Sequence, residues 1–318
     1  MKKIFITGGS GTVGTSFIEQ YHGKYKFFSY SRNEKMQVSL KRKFPDIEII
    51  LGSVEDKLAL QTSVAKIKPD IIIHAAALKH VDSAEISPIQ AIKSNIIGSL
   101  NLIEAAVVNA VPVTVAISTD KACCADNNYG YTKALMEKMF LEAHTAQNKF
   151  SVCRFGNVSH SHGSVIPFWL RLRADKKPLP LTHKSMNRLM FTRQEAAHLV
   201  HAAVLKAQDD NESFVLSQKM KTVNMHKLAE IISGDIEIVG LRPGEKLNET
   251  LINEKEVPKT FINGKYITIR EYENLGDNKL NGEYSSENAE FMTEKEMIIA
   301  VAETDESLEK SLLESRIY

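Results

Sequence analysis

The chain predicts an α/β fold with a doubly wound parallel sheet and a smaller C-terminal α+β lobe. Two observations support this: short β-branched runs alternate with stretches whose apolar residues recur at helical spacing, and the alternation loosens after Asn157. Strands and helices in alternation give a parallel sheet covered on both faces, because right-handed crossovers place the helices there.

The predicted elements follow in chain order. Strands are predicted at 3–6, 26–30, 47–51, 70–74, 113–117 and 151–155, and helices at 13–21, 56–65, 89–109, 129–146 and 193–208. We expect residues 1–157 to form a nucleotide-binding domain, with a return segment at about 190–225. Residues 158–189 and 226–318 are expected to form the smaller lobe, which would bind the substrate.

Composition and charge exclude several classes of protein. The 318 residues include 40 Lys+Arg and 39 Asp+Glu, a net charge of +1, and 43 % are apolar. This balance provides no general attraction to nucleic acid or an anionic membrane. Apolar runs fall short of the roughly 20 residues of a spanning helix, and three cysteines without C-x-x-C spacing suit a reducing cytosol. We expect a cytoplasmic protein without membrane insertion, nucleic-acid partner or metal.

A glycine-rich turn lies between the first predicted strand and the first predicted helix. Gly8, Gly11 and Gly14 have G-x-x-G-x-x-G spacing. The first glycine can take a tight turn, the second lets the backbone approach a pyrophosphate, and the third allows close packing of helix and strand. The helix N-terminus favours negative charge. This position predicts a Rossmann-type dinucleotide site, the alternative being a glycine-rich turn without a ligand.

The residues after the second predicted strand bear on the choice of dinucleotide. An enzyme that binds NAD would place an acidic residue there, whereas this chain has Arg32 followed by Glu34. A guanidinium can bind the 2′-phosphate of NADP, which a carboxylate would repel. NADP is therefore favoured. In the alternative, Arg32 is solvated and Glu34 binds the ribose of NAD.

Tyr129 and Lys133 form a second pattern. They are four residues apart on a predicted helix, so their side chains share one face. A phenol with a pKa of about 10 is a poor base near neutrality, and a neighbouring ammonium stabilises its phenolate. Tyr129 is therefore a candidate for deprotonating a hydroxyl while hydride leaves the same carbon. Tyr-x-x-x-Lys alone is a weak pattern, which the glycine turn strengthens.

An acid and an amine are adjacent after the fifth predicted strand. Asp120 and Lys121 would lie at the carboxyl end of a central strand, where open parallel sheets bind ligands. Such a pair suits a reaction in which one group protonates a leaving hydroxyl and another removes a carbon-bound proton. The alternative is a solvated ion pair, but the nearby Tyr129 favours chemistry.

These residues belong to motifs that span nearly the whole chain. The motifs are TGGSGTVG, YSRNE, HAAALKHVD, STDKA, YGYTK, RFGNV, GSVIPF, MNRLMFT, RPGEKLNETLI and EYSSEN. By them the chain resembles the extended short-chain dehydrogenase/reductases and, among these, the soluble inverting UDP-N-acetylglucosamine 4,6-dehydratases of bacterial surface-sugar synthesis. Lys121 is the discriminating residue, because retaining nucleotide-sugar dehydratases usually carry glutamate there and 4-epimerases lack the acid–base pair.

The resemblance implies a reaction on a UDP-sugar. Tyr129, assisted by Thr119 and Lys133, would oxidise C4 by hydride transfer to NADP. Lys121 would then remove the C5 proton, and Asp120 would protonate the leaving C6 hydroxyl. Hydride would return to C6, and C5 would be reprotonated from the opposite face. The cofactor ends as it began, so it should be tightly held.

We also expect particular binding residues. The cofactor is expected to contact Gly8, Ser10, Gly11, Thr12, Val13, Gly14, Ser31, Arg32, Ser53, Val54, Ala75, Ala76, Ala77, Lys79, Tyr129 and Lys133. The UDP-sugar is expected to contact Lys79, His80, Asn157, Val165, Arg188, Arg242 and Glu245, with the two arginines on the pyrophosphate. The alternatives are loop solvation for Lys79 and His80, a core position for His80, and surface ion pairs for the arginines. Helices 89–109 and 129–146 commonly form an intersubunit bundle in resembling proteins, so we expect a homo-oligomer.

The chain departs from the family pattern in two segments. His160 and His162 replace a glycine and an arginine of the frequent G-N-V-x-G-S-R-G-S, and two loop histidines without a carboxylate are weak evidence for a metal. His183 and Asn187 replace a usual aspartate and threonine. These changes leave the sugar less determined than the reaction. A UDP-sugar 4-epimerase or 4-ketoreductase, and a non-catalytic NADP-binding regulator, are the competing hypotheses.

Overall fold

The computed structural model describes residues 1–303 and Leu308. The strands in this part of the chain are β1 (Lys3–Thr7), β2 (Lys26–Ser31), β3 (Glu48–Leu51), β4 (Ile71–His74), β5 (Val113–Thr119), β6 (Lys149–Phe155), β7 (Asn157–Val158), β8 (Leu179–Leu181), β9 (Asn187–Phe191), β10 (Val215–Gln218), β11 (Lys221–Asn224), β12 (Ile236–Ile238), β13 (Thr250–Ile252), β14 (Thr260–Asn263), β15 (Tyr266–Ile269) and β16 (Tyr284–Ser285).

The helices alternate with the strands of the first half. They are α1 (Thr12–Tyr21), α2 (Glu34–Lys43), α3 (Lys57–Ile67), α4 (Val81–Ile86), α5 (Pro88–Ala91), α6 (Gly98–Val108), α7 (Asn128–Glu142), α8 (Val165–Ala174), α9 (Arg193–Asp209), α10 (Met225–Ile232) and α11 (Glu294–Ala302). A π-helical segment, Ile92–Ile97, joins α5 to α6, and short 3-10 segments lie at Asp120–Ala122 and Val257–Lys259.

A nine-stranded sheet forms the centre of the molecule. Its order is β14-β15-β10-β6-β5-β4-β1-β2-β3, and the strands from β10 to β3 are parallel. The buried β4 reads Ile-Ile-Ile-His, as expected of a strand covered on both faces. The predicted doubly wound α/β fold is confirmed, and the six predicted strands are present with ends shifted by at most two residues.

Two helices of the first half were not predicted, α2 and the six-residue α4. The sequence of α2 is largely charged or polar, and only Gln37 and Leu40 are buried, so it lacks a wide apolar stripe. Hydrogen bonds of polar side chains stabilise α2 instead. Asn33 caps its N-terminus by accepting from Met36 N, and Ser29 Oγ donates to Gln37 Oε1 at 2.6 Å.

The sheet also takes in residues that the sequence analysis placed in the smaller lobe. The hairpin β14–β15 adds two antiparallel strands beside β10, which pairs its other edge with β6. This covers backbone groups that a sheet edge would expose. The other strands of the second half form a three-stranded sheet, β11-β9-β7, and two pairs, β12-β8 and β13-β16. The division into two domains stays a prediction.

Among the described residues, one helical stretch is long and apolar enough to cross a membrane. It runs from Pro88 to Val108, has a mean hydropathy of 1.3, and 56 % of its apolar window is buried within the protein. Core helices of water-soluble proteins meet the same criterion. Its last part, α6, packs against α3 and α7 beside the sheet.

Candidate active site

A cavity of about 990 Å³ lies between the carboxyl ends of the central strands and residues of α8 and β9. Its walls include Gly8 after β1, Ala75 after β4, Thr119 at the end of β5, and Trp169 on α8. Every residue predicted to bind cofactor or substrate lines this cavity, as do four of the five predicted catalytic residues. The fifth, Asp120, is fully buried behind the wall.

The glycine turn brings backbone close to backbone. Gly8 has a φ of +70°, and a Cβ there would lie 2.8 Å from Ala76 N. A Cβ on Gly14 would lie 2.6 Å from Gly9 O, so the start of α1 packs on the turn as only glycine permits. Gly11 precedes α1 without a side-chain cap, which leaves N–H groups of the first helical turn available to an anion.

The end of β2 places Arg32, and not Glu34, at the cavity. Ser31 is the last residue of β2, Arg32 follows it, and Glu34 already belongs to α2. Ser31 and Arg32 are among the lining residues, whereas Glu34 is not. The Arg32 side chain is 67 % exposed, and its nearest charged partner is Glu55, 3.6 Å away.

The acid–base pair forms at the 3-10 turn after β5. Asp120 Oδ1 accepts from Thr119 Oγ1 at 2.8 Å and from the Lys121 backbone N at 2.9 Å, and it lies 3.1 Å from Lys121 Nζ. Asp120 Oδ2 is buried without a hydrogen-bond partner among the described residues. A Cβ on Gly156 would lie 3.2 Å from that oxygen. One carboxylate oxygen is therefore saturated, and the other is left for a further donor or a proton.

No motif predicted Glu249 as part of this cluster. Its side chain is buried at the cavity wall, and its Oε1 lies 3.3 Å from Lys121 Nζ. Burial alone would lower the pKa of Lys121, but Asp120 and Glu249 raise it above its usual value. Burial raises the pKa of Glu249. The only available signal was its place in the RPGEKLNETLI motif, which does not reveal its proximity to Lys121.

Tyr129 and Lys133 both line the cavity from α7, as expected; Lys133 is buried and Tyr129 is partly buried. Burial raises the pKa of Tyr129 to about 12, while the Lys121 charge and a hydrogen bond with Thr119 act to lower it. Lys133 Nζ donates to Ile117 O at 2.6 Å and to Met136 Sδ at 2.9 Å, and burial lowers its pKa to about 8. The cation that opposes the rise in the Tyr129 pKa is therefore Lys121, not Lys133.

The position of α7 depends on a buried arginine that no motif predicted as structural. Arg154 on β6 binds Glu137 on α7 through two hydrogen bonds, 2.9 and 2.6 Å long, and also binds Glu256. Glu137 lies one turn beyond Lys133 on α7. The network therefore fastens the helix that carries Tyr129 to the sheet and to the residues after β13.

The two predicted clamp arginines meet at one carboxylate. Glu245 Oε1 lies 2.9 Å from Arg242 NH2 and 3.7 Å from Arg188 NH2. Arg242 is exposed and also pairs with Asp82 at 3.1 Å, whereas Arg188 is buried on β9 and donates to Asn187 O at 2.8 Å. Both line the cavity, so two guanidinium groups face it from separate segments.

The loop 159–164 crosses the mouth of the cavity. His162 Nδ1 lies 2.8 Å from Thr12 Oγ1, and Lys79 Nζ donates to His162 O at 2.7 Å. His160 is turned away, with Nε2 2.7 Å from Val301 O. Burial, and then the Lys79 charge, lower the pKa of His80, whose ring lies against Gly163. The two loop histidines therefore do not converge on one metal position.

Comparison with known proteins agrees with this geometry. A family model described as polysaccharide biosynthesis protein matches residues 4–271. An inverting UDP-N-acetylglucosamine 4,6-dehydratase of Campylobacter jejuni is 38 % identical over 280 residues, covering 84 % of this chain and 82 % of that protein.

Two solved structures are similar over most of the chain. The X-ray structure of Pen from Bacillus thuringiensis has a TM-score of 0.86 and 29 % identity, covering 93 % of this chain and 95 % of that one. The Thermus thermophilus UDP-glucose 4-epimerase in complex with NAD has a TM-score of 0.68 and 16 % identity, covering 76 % and 88 %, and shares the fold. The chain thus has an extended short-chain dehydrogenase/reductase fold and belongs to the polysaccharide biosynthesis protein family.

Proposed function

We propose that the protein is an NADP-dependent UDP-N-acetylglucosamine 4,6-dehydratase that inverts C5 and supplies a UDP-4-keto-6-deoxy sugar for surface polysaccharide synthesis. One observation carries the proposal: Tyr129 and Lys121, partly buried, line one cavity beside a glycine turn, and Lys121 pairs there with the buried Asp120. The similarity to an inverting dehydratase supports the same reaction.

The cavity fits a dinucleotide. The close approach at Gly8 and Gly14 leaves backbone where side chains would intrude, and α1 begins without a side-chain cap. Ser118, Ser159 and Ser164 also line the cavity with buried hydroxyls that have no partner among the described residues. Arg32 favours NADP over NAD, since a guanidinium can bind the 2′-phosphate.

Tyr129 would remove the proton of the C4 hydroxyl. The bound cofactor supplies the redox chemistry, accepting hydride from C4 and returning it to C6. The pKa of about 12 disfavours the phenolate in the ligand-free site, so ionisation depends on neighbouring cations and on the Thr119 hydrogen bond. The charge of Lys121 lowers the pKa of Tyr129, and Lys133 provides a second ammonium four residues after Tyr129 on α7.

The Asp120–Lys121 pair would carry out the elimination with one shared proton. Transfer of that proton from Nζ to the carboxylate converts the ion pair into a neutral amine and a neutral acid. The amine then takes the C5 proton, which the C4 ketone makes acidic, as the C5–C6 double bond forms. The acid proton would leave with the C6 hydroxyl as water. Hydride would then be delivered to C6, a solvent proton would add at C5 from the opposite face, and Tyr129 would return the C4 hydroxyl proton to solvent.

The proton that leaves with water is assigned to Asp120 Oδ2. Its other oxygen already accepts from Thr119 and Lys121, whereas Oδ2 has no such partner. Gly156 lines the cavity, and a Cβ on it would lie 3.2 Å from Oδ2, so we place the approach of the leaving hydroxyl to Asp120 beside Gly156. Arg188 and Arg242 would bind the UDP pyrophosphate. The charge of the phosphates would then replace the ion pairs that both arginines form with Glu245.

We further propose a cytoplasmic homo-oligomer. The thiols of all three cysteines are free, which suits a reducing compartment. Large apolar side chains are exposed on the helices that follow β4 and on α7: Ile86, Ile89, Ile92, Ile97, Leu100, Val107, Val108 and Leu135. A surface of this kind is typical of an interface.

Proton NMR of a reaction with UDP-N-acetylglucosamine in D2O tests the function. A new C6 methyl signal with deuterium at C5 is the expected result. Inversion at C4 without a methyl group would favour the epimerase, which is consistent with the fold shared with a UDP-glucose 4-epimerase. Nucleotide binding without turnover would favour the regulator and refute the proposal.

A further inference from the structure

A second carboxylate faces the amine of Lys121 from a distant part of the chain. Glu249 directly precedes β13, and its side chain is 5 % exposed. Its Oε1 lies 3.3 Å from Lys121 Nζ, while Asp120 Oδ1 lies 3.1 Å from the same nitrogen. The amine is therefore held between two buried carboxylates, of which only Asp120 has a role in the proposed elimination.

The backbone of Glu249 is fixed by a buried serine. Glu249 N donates to Ser286 Oγ at 2.9 Å, and Ser286 N donates back to Glu249 O at 2.9 Å. Ser286 Oγ lies 3.2 Å from Asn187 O, which extends the contact to β9. Ser286 belongs to the EYSSEN motif, to which the proposed reaction assigns no role. A side chain on so constrained a backbone can hold its partner in one place.

Glu249 also alters the charge that surrounds Lys121. The charged and titratable groups that face the amine are Asp120 on its own turn, Glu249, Arg188 on β9 and Tyr129 on α7. Both carboxylates favour the ammonium form of Lys121, and Arg188 opposes it. The proposed elimination needs one proton on the Asp120–Lys121 pair, so the charge on Glu249 bears on the pH at which the pair loses that proton.

We propose that Glu249 is a positioning residue for Lys121: its carboxylate holds the amine at the cavity wall and favours the protonated amine. This role rests on the proposed dehydratase function. This role has two separable parts, the hydrogen bond to the amine and the negative charge. In Glu249→Gln the side chain can still accept a hydrogen bond but carries no charge, whereas Glu249→Ala removes both.

The test compares Glu249→Gln, Glu249→Ala and the exposed control Glu254→Gln. Single-turnover absorbance of reduced cofactor reports C4 oxidation, and the pH dependence of C6 methyl formation reports elimination. In Glu249→Gln, the falling limb of the elimination rate at high pH should move to lower pH by about 1 unit, because removal of an anion lowers the pKa of Lys121 and the pair then loses its shared proton at lower pH. In Glu249→Ala, elimination should fall about 10- to 100-fold through misplacement of the amine. Oxidation at C4 should stay at the wild-type rate in Glu254→Gln, and in the two Glu249 variants it should change much less than elimination does.

A further variant separates position from charge. Ser286→Ala removes the hydroxyl that accepts from Glu249 N, one of the two bonds to the Glu249 backbone, but leaves the carboxylate, so elimination should fall without a shift of the pH profile. The inference is overturned if Glu249→Gln has the wild-type pH profile, or if C4 oxidation falls in parallel with elimination. Failure of the wild-type protein to form a C6 methyl group would instead refute the proposed function.

Discussion

The two walls of the cavity are built in opposite ways. The cofactor wall, formed by Gly8, Gly11, Gly14 and Ala75–Ala77, consists of small residues from two strand ends, and its donors are backbone groups. The sugar wall, formed by Lys121, Arg188, Arg242, Glu245 and Glu249, consists of charged side chains from distant segments. At the cofactor wall, the backbone can come close to a dinucleotide only where large side chains are absent. At the sugar wall, proton transfer and phosphate binding require charged groups, which form ion pairs with one another when no ligand is bound.

Lys121→Ala should have the largest effect, and it tests whether the walls act separately. Loss of the proposed base should lower C6 methyl formation by about 10²- to 10⁴-fold. Oxidation at C4 should persist at a reduced rate, because Lys121 also favours the Tyr129 phenolate, so reduced cofactor should accumulate and be visible by its near-ultraviolet absorbance. The exposed Lys255→Ala is the matched control. Normal turnover by Lys121→Ala would show that another group removes the C5 proton.

Gly14→Ala should damage the cofactor wall. Its Cβ would lie 2.6 Å from Gly9 Cα and Gly9 O, so backbone would have to move. We expect a loss of about 1–3 kcal/mol in the free energy of unfolding, with weaker dinucleotide binding. Denaturant titration and cofactor titration measure the two effects. Gly234→Ala, which meets no atom within 4 Å, is the control. Unchanged dinucleotide affinity in Gly14→Ala would contradict the assignment of the cofactor wall.

The free energy of unfolding should fall with acidification because of His74 beneath the cofactor wall. Burial, and then the Lys133 charge, lower its pKa from 6.5 to about 3. Above pH 6.5, His74 is neutral in both states. Below pH 6.5, His74 is protonated in the unfolded chain but stays neutral in the folded one. The free energy of unfolding therefore falls by about 1.4 kcal/mol per pH unit down to about pH 3 because of this group. In His74→Asn the slope should be smaller by that amount. Equal slopes would contradict a neutral buried imidazole.

Arg32→Ala should have the smallest effect, on cofactor choice alone. Because the side chain is 67 % exposed and lies near Glu55, we expect about a tenfold loss of NADP affinity and little change for NAD. Competitive titration with the two dinucleotides measures this, with the exposed Arg42→Ala as control. An equal fall in both affinities would show that Arg32 does not bind the 2′-phosphate.

The sequence predicted features that depend on neighbours along the chain. Glycine spacing between a strand and a helix, and the four-residue spacing of Tyr129 and Lys133, are local patterns that the fold preserves. Helix α2 escaped prediction because its stability comes from a cap and the polar contacts of Gln37, which leave no apolar periodicity.

Features assembled across the chain could not be predicted. Glu249 meets Lys121 across 128 positions only because β13 packs beside the turn after β5. Likewise, Lys133 donates to Ile117 O, so its distance in sequence from Tyr129 did not show which cation influences the phenol. Hairpin β14–β15 joins the sheet through pairing with β10, and such long-range pairing is not encoded in local periodicity.

A doubly labelled turnover tests the central claim, that hydride moves over the cofactor wall while protons move at the sugar wall. In one reaction, the wild-type protein is given UDP-N-acetylglucosamine with deuterium at C4 in ordinary water. In a second reaction, it is given the unlabelled sugar in D2O. We predict that the C4 deuterium appears in the C6 methyl group of the product and that solvent deuterium appears at C5. A C6 methyl group without the C4 label, or a product that keeps the label at C4, would contradict the account.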